Sequence, residues 1–167
     1  MRPLSFCAAC GAPLENPDGD GARRCRSCKR SWYRNPAPTI ACAIVRVGRV
    51  LVAVRARAPD KGRFDMPGGF LHAAEQPLDG LRREVREELG VAIDVAHEDY
   101  VQAVAHRFGP EGEWLVSLGF KARLVSGEPT PSDDVAEARW VSEDELDGLD
   151  WAWDHDRRLA HRALRDG

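Results

Sequence analysis

The sequence predicts a mixed α/β or α+β sandwich, with a sheet between helices, behind a small N-terminal unit of different character. Three observations lead there. Apolar segments of strand period and of helix period are interspersed along most of the chain. Its 167 residues suffice for one full domain and a small appendage, on the prior of roughly 100–200 residues per domain. Four of the five cysteines crowd into the first 35 residues. With 43% hydrophobic and 31% charged residues, disordered, collagenous and coiled-coil classes are excluded.

The cysteines form two Cys-x-x-Cys pairs, Cys7/Cys10 and Cys25/Cys28. A two-residue gap lets both sulfurs of one turn face a tetrahedral zinc ion, and the 14 residues between the pairs can carry the second knuckle. Two disulfides or a redox pair would use the same spacing; a cytosolic chain argues against the first, and the duplication against the second. A structural zinc ribbon over residues 1–35 is therefore expected, since so short a segment buries too little apolar surface to fold unaided. Charge divides at the same place. Residues 1–35 hold seven Lys/Arg against three Asp/Glu, whereas residues 36–167 hold 17 against 24, within a net charge of −3. Non-specific nucleic-acid binding by the whole chain is not indicated. The stretch from Arg23 to Arg34 does mix cations with Trp32 and Tyr33, a composition used against phosphates and bases, although a solvated basic surface explains it as well. No apolar run approaches the ~20 residues of a membrane span, and the first ten residues lack the apolar core of a signal peptide. A cytoplasmic protein with no membrane partner is expected.

Asn35-Pro36-Ala37-Pro38 is a stiff joint. The second domain, 36–167, follows. Residues 40–47 and 50–55 are β-branched strands joined at Gly48-Arg49, and Cys42, in the first of them, reads as a small buried hydrophobe. A polar loop covers 58–63, and in Phe64–Phe70 the glycines permit tight backbone geometry. From Pro77 to Leu89, Leu78, Leu81, Val85 and Leu89 fall on one helical face, and Gly90 ends the helix. Strands follow at 99–107 and 114–123, with 109–112 as their turn. Ser142 to Glu145 is a capping-box pattern for a short helix, and 154–165 is a final helix.

The chemistry concentrates on the helix at 77–90. Glu84, Glu87 and Glu88, at i, i+3 and i+4, share one face beside the apolar stripe. Like charges so placed repel unless a cation neutralises them, and hard carboxylate oxygens suit Mg²⁺ or Mn²⁺. Arg82, Arg83 and Arg86 allow the plainer explanation of a solvated, ion-paired helix. The nearby glycines and Glu75 weigh against it.

Gly69-x5-Glu75-x7-Arg83-Glu84-Val85-x-Glu87-Glu88-x-Gly90-Val91 matches each defined position of the Nudix box. The chain resembles that family of hydrolases, which act on nucleoside diphosphates linked to another moiety. The double Cys-x-x-Cys, Trp32 to Pro36 and the strand pair after them resemble its zinc-ribbon branch, which includes NADH pyrophosphatases and enzymes cleaving ADP-ribose or FAD. The resemblance implies an α/β/α sandwich with a mixed sheet. It also implies divalent cations on Glu84, Glu87, Glu88 and the Gly69 carbonyl, an orienting pair of Arg83 with Glu75, and a homodimer. The family often adds an acidic residue from a distal loop; Asp133, Asp134 and Glu137 qualify, with Glu137 preferred. Two departures stand out. The run Ser-Gln-Pro-Trp-Pro-Phe-Pro of NADH pyrophosphatases is replaced by Val101 to Pro110, and Lys29 stands where a glycine is common. Gly80 sits within the box helix, where it marks close packing or costs up to ~1 kcal/mol relative to Ala.

Tyr33, Phe108 and Trp114 are candidate stacking groups for an adenine or flavin ring, although Trp114 alternates with Val116 and Leu118 as a strand core residue would. The five histidines show no ligand spacing. The function expected is metal-dependent cleavage of a nucleotide-linked diphosphate, of ADP-ribose, FAD or NAD(H) type, releasing a nucleoside monophosphate. The reading from another class is a non-catalytic nucleotide sensor or a nucleic-acid-associated module on the same fold.

Overall fold

Every residue from Ile40 to Val45 is apolar, and this decides the architecture. A strand with one solvated face alternates; one that does not must be covered on both faces. The computed structural model, which describes residues 4–165, covers it so. Strand β3 (Ala37–Arg46) sends Ile40, Cys42 and Ile44 into a cluster with Leu78, Leu81, Val85 and Leu89 of helix α1 (Pro77–Leu89). Its Ala41 and Ala43 pack in a second cluster with Leu159, Ala160 and Ala163 of helix α2 (Asp154–Arg165). Strand β4 (Arg49–Arg55) divides likewise, Leu51 and Ala53 to the first cluster, Val50 and Val52 to the second. The result is the expected α/β/α sandwich.

The sheet is mixed. Its central pairing, β3 with β9 (Glu113–Ser126), is parallel, and its other pairings are antiparallel. The order is β10 (Val135–Val141), β4, β3, β9 and β7 (Ala92–Asp94). Three more strands attach: β5 (Phe64–Asp65) to β4, β6 (Gly68–Phe70) to β3, and β8 (Tyr100–Phe108) to β9. In the N-terminal unit β1 (Arg23–Arg24) pairs with β2 (Ser31–Trp32), and isolated bridges join Phe6 to Pro13 and Leu14 to Cys25.

Three expectations move. The β3–β4 turn is Val47-Gly48, with Arg46 paired to Arg49; both turn residues have positive φ, the geometry that matches a two-residue turn to strand twist. Strand β3 starts at Ala37, inside the proline joint, because its N-terminal half pairs with β9 and β6 rather than with β4. Glu137, expected in a distal loop, lies instead on a strand, β10, which pairs with the edge of β4. Helix α1 has the expected bounds: Pro77 opens it and Gly90, at φ +67, closes it by donating its N–H to the Arg86 carbonyl. The capping-box pattern yields a 3-10 turn, Glu143–Gly148, in which the Glu145 carboxylate accepts the Ser142 N–H at 2.7 Å. Among the described residues no helix is long and apolar enough to cross a membrane.

Strand β6 lies so close to β3 that a Cβ on Gly68, at φ +152, would stand 2.1 Å from the Ile40 carbonyl oxygen. Gly68→Ala should therefore cost about 3 kcal/mol or more in strain and overpacking, read by urea denaturation. A loss under about 1 kcal/mol would show that β6 can lift off without consequence.

Candidate active site

Arg83 organises the loop between β6 and α1. Its Nε and Nη2 grip both oxygens of Glu75, at 2.8 and 2.9 Å, as a bidentate fork. Nη1 reaches Glu84 at 2.9 Å and Glu87 at 3.0 Å, and Nη2 also donates to the Phe70 carbonyl at 3.2 Å. The Arg83 guanidinium, with the His72 N–H, holds the Glu75 carboxyl down from 4.5 to about 2. Gly80 makes room for this. A Cβ there would lie 2.7 Å from Leu71 Cδ2 and 2.9 Å from Glu75 Oε2.

The other glutamates differ in depth. Glu88 is 6% exposed, and its Oε2 accepts the Gly68 N–H at 2.9 Å. Burial pushes its carboxyl well up, and the charges of Asp134, Asp65 and Glu84 add to this. Glu84 lies against Gly69, where a Cβ would be 2.5 Å from its carboxyl carbon. Burial raises it too, with Glu87 and Asp134 adding to the rise against the pull of Arg83. Glu87 is half-exposed. Buried carboxylates whose charges oppose one another's ionisation form a donor set that a hard divalent ion relieves. Glu84, Glu88 and Asp134 are the residues such an ion would use first, with Glu87 at the rim. Their oxygens do not converge as they stand; among the described residues the four cysteines are the only group of three or more whose ligand atoms all lie within 4.8 Å of one another.

Beside this acidic patch, and sharing Gly68 and Asp134 with it, opens a cleft lined by Phe70, His106, Phe108, Ser117, Trp153 and Asp156. Trp153 and Phe108 lie 5.8 Å apart at 28°, Phe70 meets Phe108 edge-on, and His106 lies against His155 at 4.3 Å with the rings tilted by 43°. Of the three stacking candidates only Phe108 lines it. Trp114 stands on the other face of β9 beneath Arg107, because alternation puts Leu115 and Ser117 toward the cleft and Trp114 and Val116 away. Tyr33 is in the ribbon region, 58% exposed. Glu137 lies on β10 rather than in a loop, on the face of Arg139 and Val141, opposite α1; Asp134, just before the strand, is the acid that reaches the patch. Asp133 is engaged by Arg57 at 2.8 Å. His106, His155 and Trp153 were invisible to ligand spacing. The signal for His106 was its period-two alternation with Phe108.

In the ribbon Cys7 and Cys28 Sγ are 3.5 Å apart, as are Cys10 and Cys25 Sγ. That is too long for a disulfide bond of ~2.05 Å and near the ~3.8 Å edge of a tetrahedron of 2.3 Å Zn–S bonds. Burial would raise the Cys7 thiol, but the N–H groups of Ala9 and Cys10 and the Trp32 indole N–H, 3.2 Å from its sulfur, bring it down to about 6. Lys29 takes φ +63, which explains why a glycine suits that position. Cys42 is fully buried, away from this group, and burial pushes its thiol up.

A two-sided sandwich whose strand–loop–helix presents these glutamates around one arginine defines a Nudix domain. The model of that family, described as NUDIX domain, matches residues 35–163, and the chain belongs to it. Among curated proteins it is similar to the NAD-capped RNA hydrolase NudC of Deinococcus radiodurans, 33% identical over 98% of this chain and 58% of that one. The protein of the same description from Pseudomonas aeruginosa is 33% identical over 86% of this chain and 50% of that one. The chain thus spans about half the length of the curated relatives it matches. Among solved structures, a NUDIX hydrolase from Nitrosomonas europaea superposes with TM-score 0.74 at 26% identity, covering 98% of this chain and 92% of that one. A MutT NUDIX hydrolase from Burkholderia pseudomallei gives 0.66 at 32% identity, over 77% and 98%.

Two outcomes are expected. Reduced protein from zinc-supplemented medium should carry one zinc per chain by elemental analysis, and Cys25→Ser should release it while the sandwich still melts cooperatively; reduced wild-type protein without zinc would refute the ribbon assignment. Because the folded pKa of Glu75 is depressed, its contribution to stability is present above its ordinary 4.5 and lost as pH falls through about 2. The difference in melting temperature between the wild type and Glu75→Gln should shrink over that window, and a pH-independent difference would show that the ion pair does not carry it.

Proposed function

We propose that the protein is a divalent-metal-dependent hydrolase that cleaves the diphosphate of a nucleoside diphosphate linked to another moiety, of NAD(H), ADP-ribose or FAD type. The observation that carries this reading is the buried carboxylate of Glu88, hydrogen-bonded to Gly68 in a patch shared with Glu84 and Asp134 and open to the aromatic cleft. A sensor would gain nothing from burying charges that oppose each other. The name of the curated relatives, NAD-capped RNA hydrolase, supports a dinucleotide-type substrate. We further propose that residues 1–35 and 36–167 divide the labour, the first a zinc-held ribbon and the second the hydrolase.

A bound Mg²⁺ or Mn²⁺ would supply charge neutralisation for the diphosphate and a water of lowered pKa. The chain's own part is positional. Glu84, Glu88 and Asp134 hold the charge that draws the cation, Gly69 lets the backbone approach it, and Arg83 with Glu75 fixes the loop on α1. Water adds to one phosphorus, the bridging P–O bond breaks, and a nucleoside monophosphate leaves beside a second phosphate ester. The cleft, which shares Gly68 and Asp134 with the patch, is placed to receive one end of the substrate.

Glu88→Gln and Glu84→Gln should each lower turnover of ADP-ribose or NADH by at least ~100-fold with the fold intact by circular dichroism. Product analysis should find AMP. Retained activity in both variants would overturn the site, and pyrophosphate released from a triphosphate as the main product would overturn the substrate class.

A further inference from the structure

The acidic patch leaves the aromatic cleft unexplained, and the cleft holds polar groups that packing does not require. Asp156, in the first turn of α2, is 2% exposed and shares a hydrogen bond with Asp65 of β5. Two carboxyl groups can bond to each other only if one carries a proton. Asp65 is the charged member, since its Oδ2 takes Arg55 Nη1 at 2.6 Å and its Oδ1 takes the Met66 N–H at 2.8 Å. Asp156 is then a neutral acid that donates to Asp65, with its remaining oxygen free to accept. His155 Nε2, at 3.6 Å from Asp156 Oδ1, stops short of a hydrogen bond. Ser117 of β9, only 7% exposed, lines the same cleft, with no hydrogen-bond partner for its hydroxyl among the described residues.

We propose that this cleft reads the edge of a planar nitrogen heterocycle: Asp156 accepts from an exocyclic amino group, Ser117 donates to the acceptor beside it, and Trp153 and Phe108 flank the ring. The assignment rests on the reading of the neighbouring acidic patch as the diphosphate site. Charge argues for a ring rather than a phosphate. Burial lowers His155 to about 4 and lowers His106 as well, so both imidazoles favour the neutral form at neutral pH. Arg55 is spent on Asp65 and the Pro59 carbonyl, with its guanidinium over the Trp153 ring at 4.8 Å. Among the described residues lining the cleft, no free cation remains for an anion. An amino group next to an acceptor occurs as the amidine edge of adenine and as the carboxamide of nicotinamide. Both are the same chemistry to this site.

The test is binding of mononucleotides to the full zinc-loaded chain by calorimetry: AMP against IMP, and nicotinamide mononucleotide against nicotinate mononucleotide. Each second compound replaces the amino group with oxygen. In at least one pair the amino compound should bind ~10-fold or more tightly than its partner, because a site built for a donor penalises its loss. The pair that discriminates identifies the ring. Ser117→Ala should weaken binding of the preferred compound ~3-fold or more, since it removes the donor to the ring's acceptor, whereas Asp156→Asn should keep the ratio, since an amide presents the same donor to Asp65 and the same acceptor to the ligand. Equal binding within both pairs, or binding of the preferred compound untouched by Ser117→Ala, would overturn the proposal and leave the aspartate pair as a clamp between α2 and β5. Ser117→Ala serves alone if Asp156→Asn fails to fold. Binding needs no turnover, so the two readings fail separately. Ring preference without diphosphate hydrolysis would sink the proposed reaction only, and hydrolysis without ring preference would sink this subsite only.

Discussion

One guanidinium facing three carboxylates sets the terms for the site. Arg83 sits between Glu75, Glu84 and Glu87, and its hydrogen bond to the Phe70 carbonyl ties the end of β6 to the middle of α1. The bidentate fork to Glu75 has the planar geometry that lysine cannot reproduce. Because Glu75 stands in the loop and Arg83 on the helix, the pair fixes where the loop enters α1. Gly80 belongs to the same arrangement: a helix interior is a poor place for glycine, yet a methyl there would push on both Leu71 and Glu75.

The rest of the architecture serves to bring two unlike environments together. Strand β3 carries α1 on one face and α2 on the other, and β6, paired with the N-terminal half of β3, lines the aromatic cleft. Gly68 and Asp134 line both the cleft and the acidic patch. On the proposed function, a substrate with a charged middle and an aromatic end would place the first at the carboxylates and the second beside His106 and His155, whose charged forms burial disfavours.

What sequence shows and hides follows from how local each signal is. Helix α1 was legible to the residue because its apolar spacing, Pro77 and Gly90 are all local, and the glutamate face came with it. Strand β10 was not, since its alternating Val135-Ala136-Glu137 stretch lies beside acidic residues and becomes a strand only by pairing with β4, some 80 positions away. That pairing turned Glu137 from the helix side and left Asp134 to reach it. The cleft was harder still. Asp65, His106, Ser117 and Asp156 come from four elements, and no spacing in the chain joins them. The cysteines were easy because zinc spacing is written in the sequence twice.

The centre of the sheet is also a distant pairing. Thr39 of β3 donates to the Val116 carbonyl of β9 across 77 positions, whereas β8 and β9 are joined by a four-residue turn. Closing a flexible loop of that length costs about 4 kcal/mol in chain entropy before the pairing returns anything. Local hairpins can therefore form and dissolve many times before β3 docks on β9, a late event that it shares with the docking of β10 on β4. Until then its unbroken apolar run, Ile40 to Val45, is open on both faces. The feature that makes the finished sandwich two-sided makes the nascent chain dependent on dilution, or on a chaperone, at that one strand.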